Sequence, residues 1–236
     1  MMMNIFFKIL NPGYLLNFCK KARKILVFMC ALAFAASAYL IINSPDDYQQ
    51  GEMVRIMYIH VPSAWLSIMI YCIIGFSAIS NLIWRAPSGF LIGFSAAPIG
   101  SAFALITLIT GMIWGKPIWG AWWVWDARLT SMLILFIFYI CYMIVSSSSR
   151  NLARVEKPSS AIAILGMINI PIVKFSVDIW HSLHQPASVF RSSGSAIDPQ
   201  MLKPLFAMFI ANFILFLLLF TFRFEKSLQN FKVKNN

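Results

Sequence analysis

Six stretches of this chain are too long and too uniformly apolar to lie inside a soluble domain, and they constrain the fold more than any other feature. They run from Ile25 to Ile42, Val61 to Trp84, Phe90 to Ile113, Leu129 to Val145, Ala161 to Val177 and Leu205 to Phe222. At ~1.5 Å per residue, helices of these lengths match a hydrocarbon layer of about 30 Å. Only 11% of the residues are charged and 60% are hydrophobic, against roughly 25% charged in an ordinary soluble domain. The expected fold class is therefore all-α: a polytopic membrane protein of six transmembrane helices, because a spanning backbone must satisfy its polar groups internally. The first run follows a basic segment and contains Ala36-Ser37-Ala38, as a cleaved leader would. It is longer than a usual leader core, and it reads as an uncleaved span.

The charges between the runs set an orientation. Counted over alternate connections, Lys and Arg number thirteen in the N-terminal tail (1–24), the Arg85 turn, the Ser146–Ser160 loop and the C-terminal tail (223–236), against five in the other three loops. Basic residues collect on the cytoplasmic side, so both termini are expected inside, around a membrane domain of residues 25–222. The net charge of +11 then reports orientation, not nucleic-acid binding, which needs a basic face among polar residues. The four cysteines are scattered, with no CxxC or CxxCH, so neither a zinc site nor covalent c-type haem attachment is written here. Carboxylate pairs, activated nucleophiles and Gly-rich phosphate loops are also missing from the sequence, which leaves an enzyme poorly supported and places any ATP-driven motor in another chain.

The same topology puts three connections on the outer face. One leads into His60. One is the tract Trp114 to Arg128, with Trp114, Trp119, Trp122, Trp123 and Trp125 in a dozen residues, and one carries His181 and His184. An aromatic belt needs one or two tryptophans per helix end; five form a flat apolar wall, as a surface-lying helix or loop. If the tract is helical, Trp119, Trp122 and Trp123 share one face. A wide, flat, anionic-edged ligand such as a porphyrin would use such walls, imidazoles as axial iron ligands, and cations at its propionates, for which Arg128, Lys116 and Lys174 are the candidates. Lys174 lies within an apolar run beside a kink expected at Pro171, and its charge must face water, protein or an anion. Asp126 is expected to cap the fourth helix or to pair with Arg128. Gly93, Ala97, Gly100 and Ala104 form a small-residue stripe on the third span, read as a close-packing surface.

The tract WGKPIWGAWWVWDARLT, with YIHVPSAW before the second span, NIPIVKFSVDIW in the fifth and SLHQ just after it, resembles the tryptophan-rich (WWD) haem-handling membrane proteins of cytochrome c biogenesis. Within them it is most similar to the haem exporter C (CcmC) family. The resemblance covers roughly residues 50 to 190. It implies non-covalent haem b held on the periplasmic face of the bacterial inner membrane, with axial ligands at positions matching His60 and His184, and delivery to the haem chaperone CcmE. It also implies the small membrane subunit CcmD and the ATP-binding transporter pair CcmA and CcmB as partners. The family motif does not require His181. Two alternatives remain open at this point: a haem-ligation component acting directly on apocytochrome c, and a membrane assembly subunit without haem.

Overall fold

The computed structural model describes residues 12–85, 87–149, 151–180, 184, 188–189 and 194–232. Six helices carry the architecture: α1 (Pro12–Ile42), α2 (Met57–Trp84), α3 (Pro87–Trp119), α4 (Ala127–Ser147), α5 (Leu152–Ile179) and α6 (Pro199–Lys232). All six are long and apolar enough to cross a membrane, and no strand occurs among the described residues.

Each helix extends beyond the apolar run that announced it, because helical hydrogen bonding continues into polar ends where hydropathy has already fallen. α2 is the instructive case. Its apolar run begins at Val61, and Pro62 suits the first turn of a helix, yet a 3-10 turn at Glu52–Ile56 feeds directly into the helix at Met57. His60 therefore sits inside the first turn of α2, and Pro62 is a helix residue. α3 runs through Pro98 and Pro117, and α5 through Pro158 and Pro171, without interruption of helix.

The core lies where α2, α3, α4 and α5 meet, with Leu66, Ile70, Tyr71, Ala97, Ala104, Leu135, Tyr139 and Ala163 all fully buried and Phe216 of α6 packed beside them. The α3 stripe works as a packing surface. At Gly100 a methyl group would collide with the Tyr139 hydroxyl, so the tyrosine of α4 fits only because that position has no side chain. Tyr139 spends its proton on the Ser67 carbonyl of α2 at 2.6 Å, which removes the cost of burying the hydroxyl.

α1 packs along α6 and is otherwise largely exposed. Near its start it is clipped to α6, where Arg23 donates to Glu225 at 2.7 Å and to the Thr221 carbonyl at 3.1 Å, and lies over the Phe222 ring. Lys20 meets the other Glu225 oxygen at 3.0 Å. At that same end Asn81 of α2 donates to Glu156 of α5 at 2.7 Å. The connections 43–56 and 120–126 and the described residues of 180–198 gather at the opposite end, where Trp114 reaches Gln50 at 2.8 Å and His184 reaches Asp126 at 2.7 Å.

Candidate functional site

At this second end lies a cavity of about 940 Å³, at the upper end of the roughly 300–1,000 Å³ typical of small-molecule sites. Its walls come from five helices, α2 to α6, and three connections, and they include His60, His184, Trp114, Trp119, Trp123, Arg128 and Lys174.

His60 projects from the first turn of α2 against the last turns of α3. Its Nδ1 is 3.1 Å from the Thr110 hydroxyl, Trp114 packs edge-on to its ring at 5.7 Å, and a side chain at Gly111 would press on its Cε1 from 3.1 Å. His184 lies between α5 and α6. Its Nδ1 is 2.7 Å from Asp126 Oδ2, with Trp119 edge-on at 4.6 Å. Burial pushes the His184 imidazole below its ordinary value of 6.5, while the Asp126 hydrogen bond and charge work the other way. The stronger effect favours the neutral ring, which is the form that can donate a nitrogen lone pair.

Asp126 has two jobs. Oδ1 accepts the Leu129 N–H at 2.8 Å, making Asp126 the N-cap of α4, and Oδ2 holds His184. The cap reading was available from sequence, since an acidic residue preceded an apolar run. The His184 contact was not, because nothing in the spacing of residues 58 apart announces a hydrogen bond.

The tryptophan tract divides. Trp114 and Trp119 belong to α3, which ends there because Gly120 takes a positive φ of 75°, a conformation disfavoured for side-chain-bearing residues. Residues 120–126 are irregular, so the shared helical face expected of Trp119, Trp122 and Trp123 does not form. Trp123 turns to the cavity, and its buried Nε1 has no hydrogen-bond partner among the described residues. Trp122 is 54% exposed and Trp125 77% exposed, and neither lines the cavity; Trp125 borders a shallow apolar groove with Met112, Leu133 and Phe136. Lys116 is likewise elsewhere, its ammonium donating to the Gly120 carbonyl at 3.0 Å where α3 ends. His181 lies outside the described residues.

Sequence reasoning also missed Gln50, whose side-chain carbonyl accepts the Trp114 Nε1–H at 2.8 Å, and Thr110. Both pair across more than forty residues and carry no local signal. Gln50 and its neighbours Asp46, Asp47 and Tyr48 bring the 43–56 connection into the cavity wall.

A haem-sized ligand can be tested against these features. The cavity offers two neutral-capable imidazoles, four indole surfaces, from Trp65, Trp114, Trp119 and Trp123, and two cations for an anionic edge. The wall also carries the Asp46, Asp47 and Asp198 carboxylates and the Met57, Met132 and Met201 thioethers, but no group of three or more His, Cys, Asp or Glu among the described residues could hold a bare metal ion. That chemistry suits a metal already held in a macrocycle.

Comparison with known proteins points the same way. A family model described as "CcmC: Heme exporter protein C" matches residues 5–236. The chain is 43% identical over 209 residues to "Heme exporter protein C" of Bradyrhizobium diazoefficiens, covering 89% of this chain and 80% of that protein. It is 42% identical over 208 residues to a "Putative cytochrome c biosynthesis ccmC-like mitochondrial protein" of Marchantia polymorpha, covering 88% of each. With "Heme exporter protein C" of Haemophilus influenzae it shares 40% identity over 187 residues, 78% of this chain and 75% of that one.

Proposed function

From the premise that this chain belongs to the haem exporter protein C family, we propose that its cavity holds haem b at the periplasmic face of the bacterial inner membrane and releases it to the chaperone CcmE for cytochrome c maturation. His60 and His184 supply the axial nitrogens, Trp114, Trp119 and Trp123 the walls, and Arg128 and Lys174 the charges facing the propionates. CcmD and the CcmA–CcmB transporter pair complete the assembly and supply any work from ATP. The chain itself makes and breaks only coordination bonds and contacts with its cargo.

One observation carries this reading. Two imidazoles from opposite parts of the sequence line one cavity, and each is held through Nδ1, the arrangement that turns Nε2 toward a metal. Indole walls and cations in the same cavity match a flat ligand with an apolar face and an anionic edge.

The test is a visible absorption spectrum of the purified chain. A low-spin spectrum with two histidine ligands is expected for the wild type, and loss of that spectrum for His60→Ala and for His184→Ala. Unchanged haem content and spectrum in both variants would overturn the assignment. Recovery of haem-bearing CcmE with the chain supports transfer, whereas a trapped apocytochrome would favour direct ligation.

A further inference from the structure

The two imidazoles have the same tautomer for different reasons. The Thr110 hydroxyl has one proton, and it is directed to the Ile106 carbonyl at 2.6 Å, with the Thr107 carbonyl at 3.3 Å beside it. Toward His60 Nδ1 the oxygen can therefore only accept. His60 is the donor, its proton is on Nδ1, and its lone pair is on Nε2. At His184 the partner is a carboxylate, which also only accepts, so the proton is again on Nδ1.

The acceptors are not equal. His184 faces a carboxylate at 2.7 Å, a charge-assisted bond roughly twice as strong as one between neutral groups. His60 faces only neutral groups, the Thr110 hydroxyl at 3.1 Å and the Thr107 backbone carbonyl. A carboxylate drawing on the Nδ1 proton shifts electron density into the ring and strengthens Nε2 as a metal ligand; a hydroxyl does this weakly. The difference is built into the helices, because Asp126 is fixed as the cap of α4 and Thr110 by its bond to the preceding turn of α3.

We propose that the two axial ligands are unequal: Asp126 makes His184 the retained ligand, and Thr110 leaves His60 as the ligand that lets go first when haem is handed on. This rests on the cavity being the haem site. Asp126 and Thr110 act here as positioning residues, through the imidazoles. The place of His60 on a helix and of His184 between helices would by itself suggest the opposite order; the hydrogen-bond partners decide it.

The experiment uses the full-length chain with haem bound, reduced with dithionite and exposed to carbon monoxide, which takes one axial position and leaves the stronger histidine opposite. The Fe–CO and C–O stretching frequencies report that remaining ligand. The wild-type adduct is expected to match that of His60→Ala. Asp126→Asn keeps the helix cap, since Asn caps as well as Asp, but makes the acceptor neutral; it is expected to shift those frequencies and to give a mixture of two adducts. Thr110→Val is expected to leave the frequencies unchanged, because it acts on the ligand that has already left, and Thr110→Ser to restore any change in the rate of CO entry. A wild-type adduct matching His184→Ala, or frequencies that respond to Thr110→Val and not to Asp126→Asn, would overturn the order of release while leaving the haem site intact. A ferric wild-type spectrum without two histidine ligands would overturn the site reading and this inference with it.

Discussion

At the scale of single residues, Asp126 shows how one side chain can serve fold and site together. One oxygen caps α4 and the other holds His184. Asp126→Ala removes both, and loss of an N-cap costs about 0.5–2 kcal/mol. The ligand-free Ala variant is expected to melt earlier than wild type, and Asp126→Asn to melt close to it, in thermal unfolding followed by circular dichroism. Equal losses in both variants would show that the cap is not what Asp126 contributes to the fold. The tryptophans separate at this scale too. Trp123→Phe keeps an aromatic ring in the cavity wall but shortens it and deletes a buried N–H; haem retention on a desalting column is expected to fall several-fold, and further than for Trp122→Phe, whose ring is 54% exposed. The reverse ranking would place the haem wall on the outer side of the tract.

Among the elements, α3 does the most. Its small-residue stripe accepts Tyr139, and its last turns bring Thr110 against His60 and Trp114 and Trp119 into the cavity wall before Gly120 stops it. Gly100→Val would force Tyr139 and α4 outward, and overpacking a dense core costs about 1–3 kcal/mol. A matching drop in thermal stability is expected, together with weaker haem binding, because α4 carries Arg128 and Asp126. Stability at the wild-type level would mean that α3 and α4 can separate without cost. Helix number and approximate position were legible in the apolar runs, and so was the packing role of the stripe. Helix ends were not. Pro62 suits the first turn of a helix, which by itself leaves His60 at the helix mouth, but the 3-10 turn at Glu52–Ile56 supplies a preformed start upstream, and the helix begins at Met57. The tract likewise alternates helix and irregular turn at Gly120, a break set by one backbone angle that periodicity does not register.

For the molecule as a whole, the arrangement that counts is the gathering of three connections at one end and, at the other, the start of α1 and the close of α6. On the orientation we propose from the positive-inside bias in Lys and Arg, the first of these ends faces the periplasm and the second the cytoplasm. Tyr48 is 90% exposed on the first connection, and Ser148 is exposed where α4 ends at the opposite side. With the native cysteines replaced, Tyr48→Cys is expected to react with a membrane-impermeant maleimide in intact cells, and Ser148→Cys only after permeabilisation. The opposite pattern would invert the protein in the membrane and move the cavity to the cytoplasmic face.

Sequence alone determined that the chain is a six-helix membrane protein, because spanning a hydrocarbon layer depends on length and hydropathy, which are local properties of a segment. It also singled out two histidines and a tryptophan tract as chemically unusual. Tertiary structure decided which of these face one cavity and what holds them there. His60 with Thr110, His184 with Asp126 and Trp114 with Gln50 are pairs 50, 58 and 64 residues apart. A hydrogen bond exists only within a few tenths of an ångström of its best length, and no spacing in the sequence fixes a distance that depends on how α2, α3 and α4 pack.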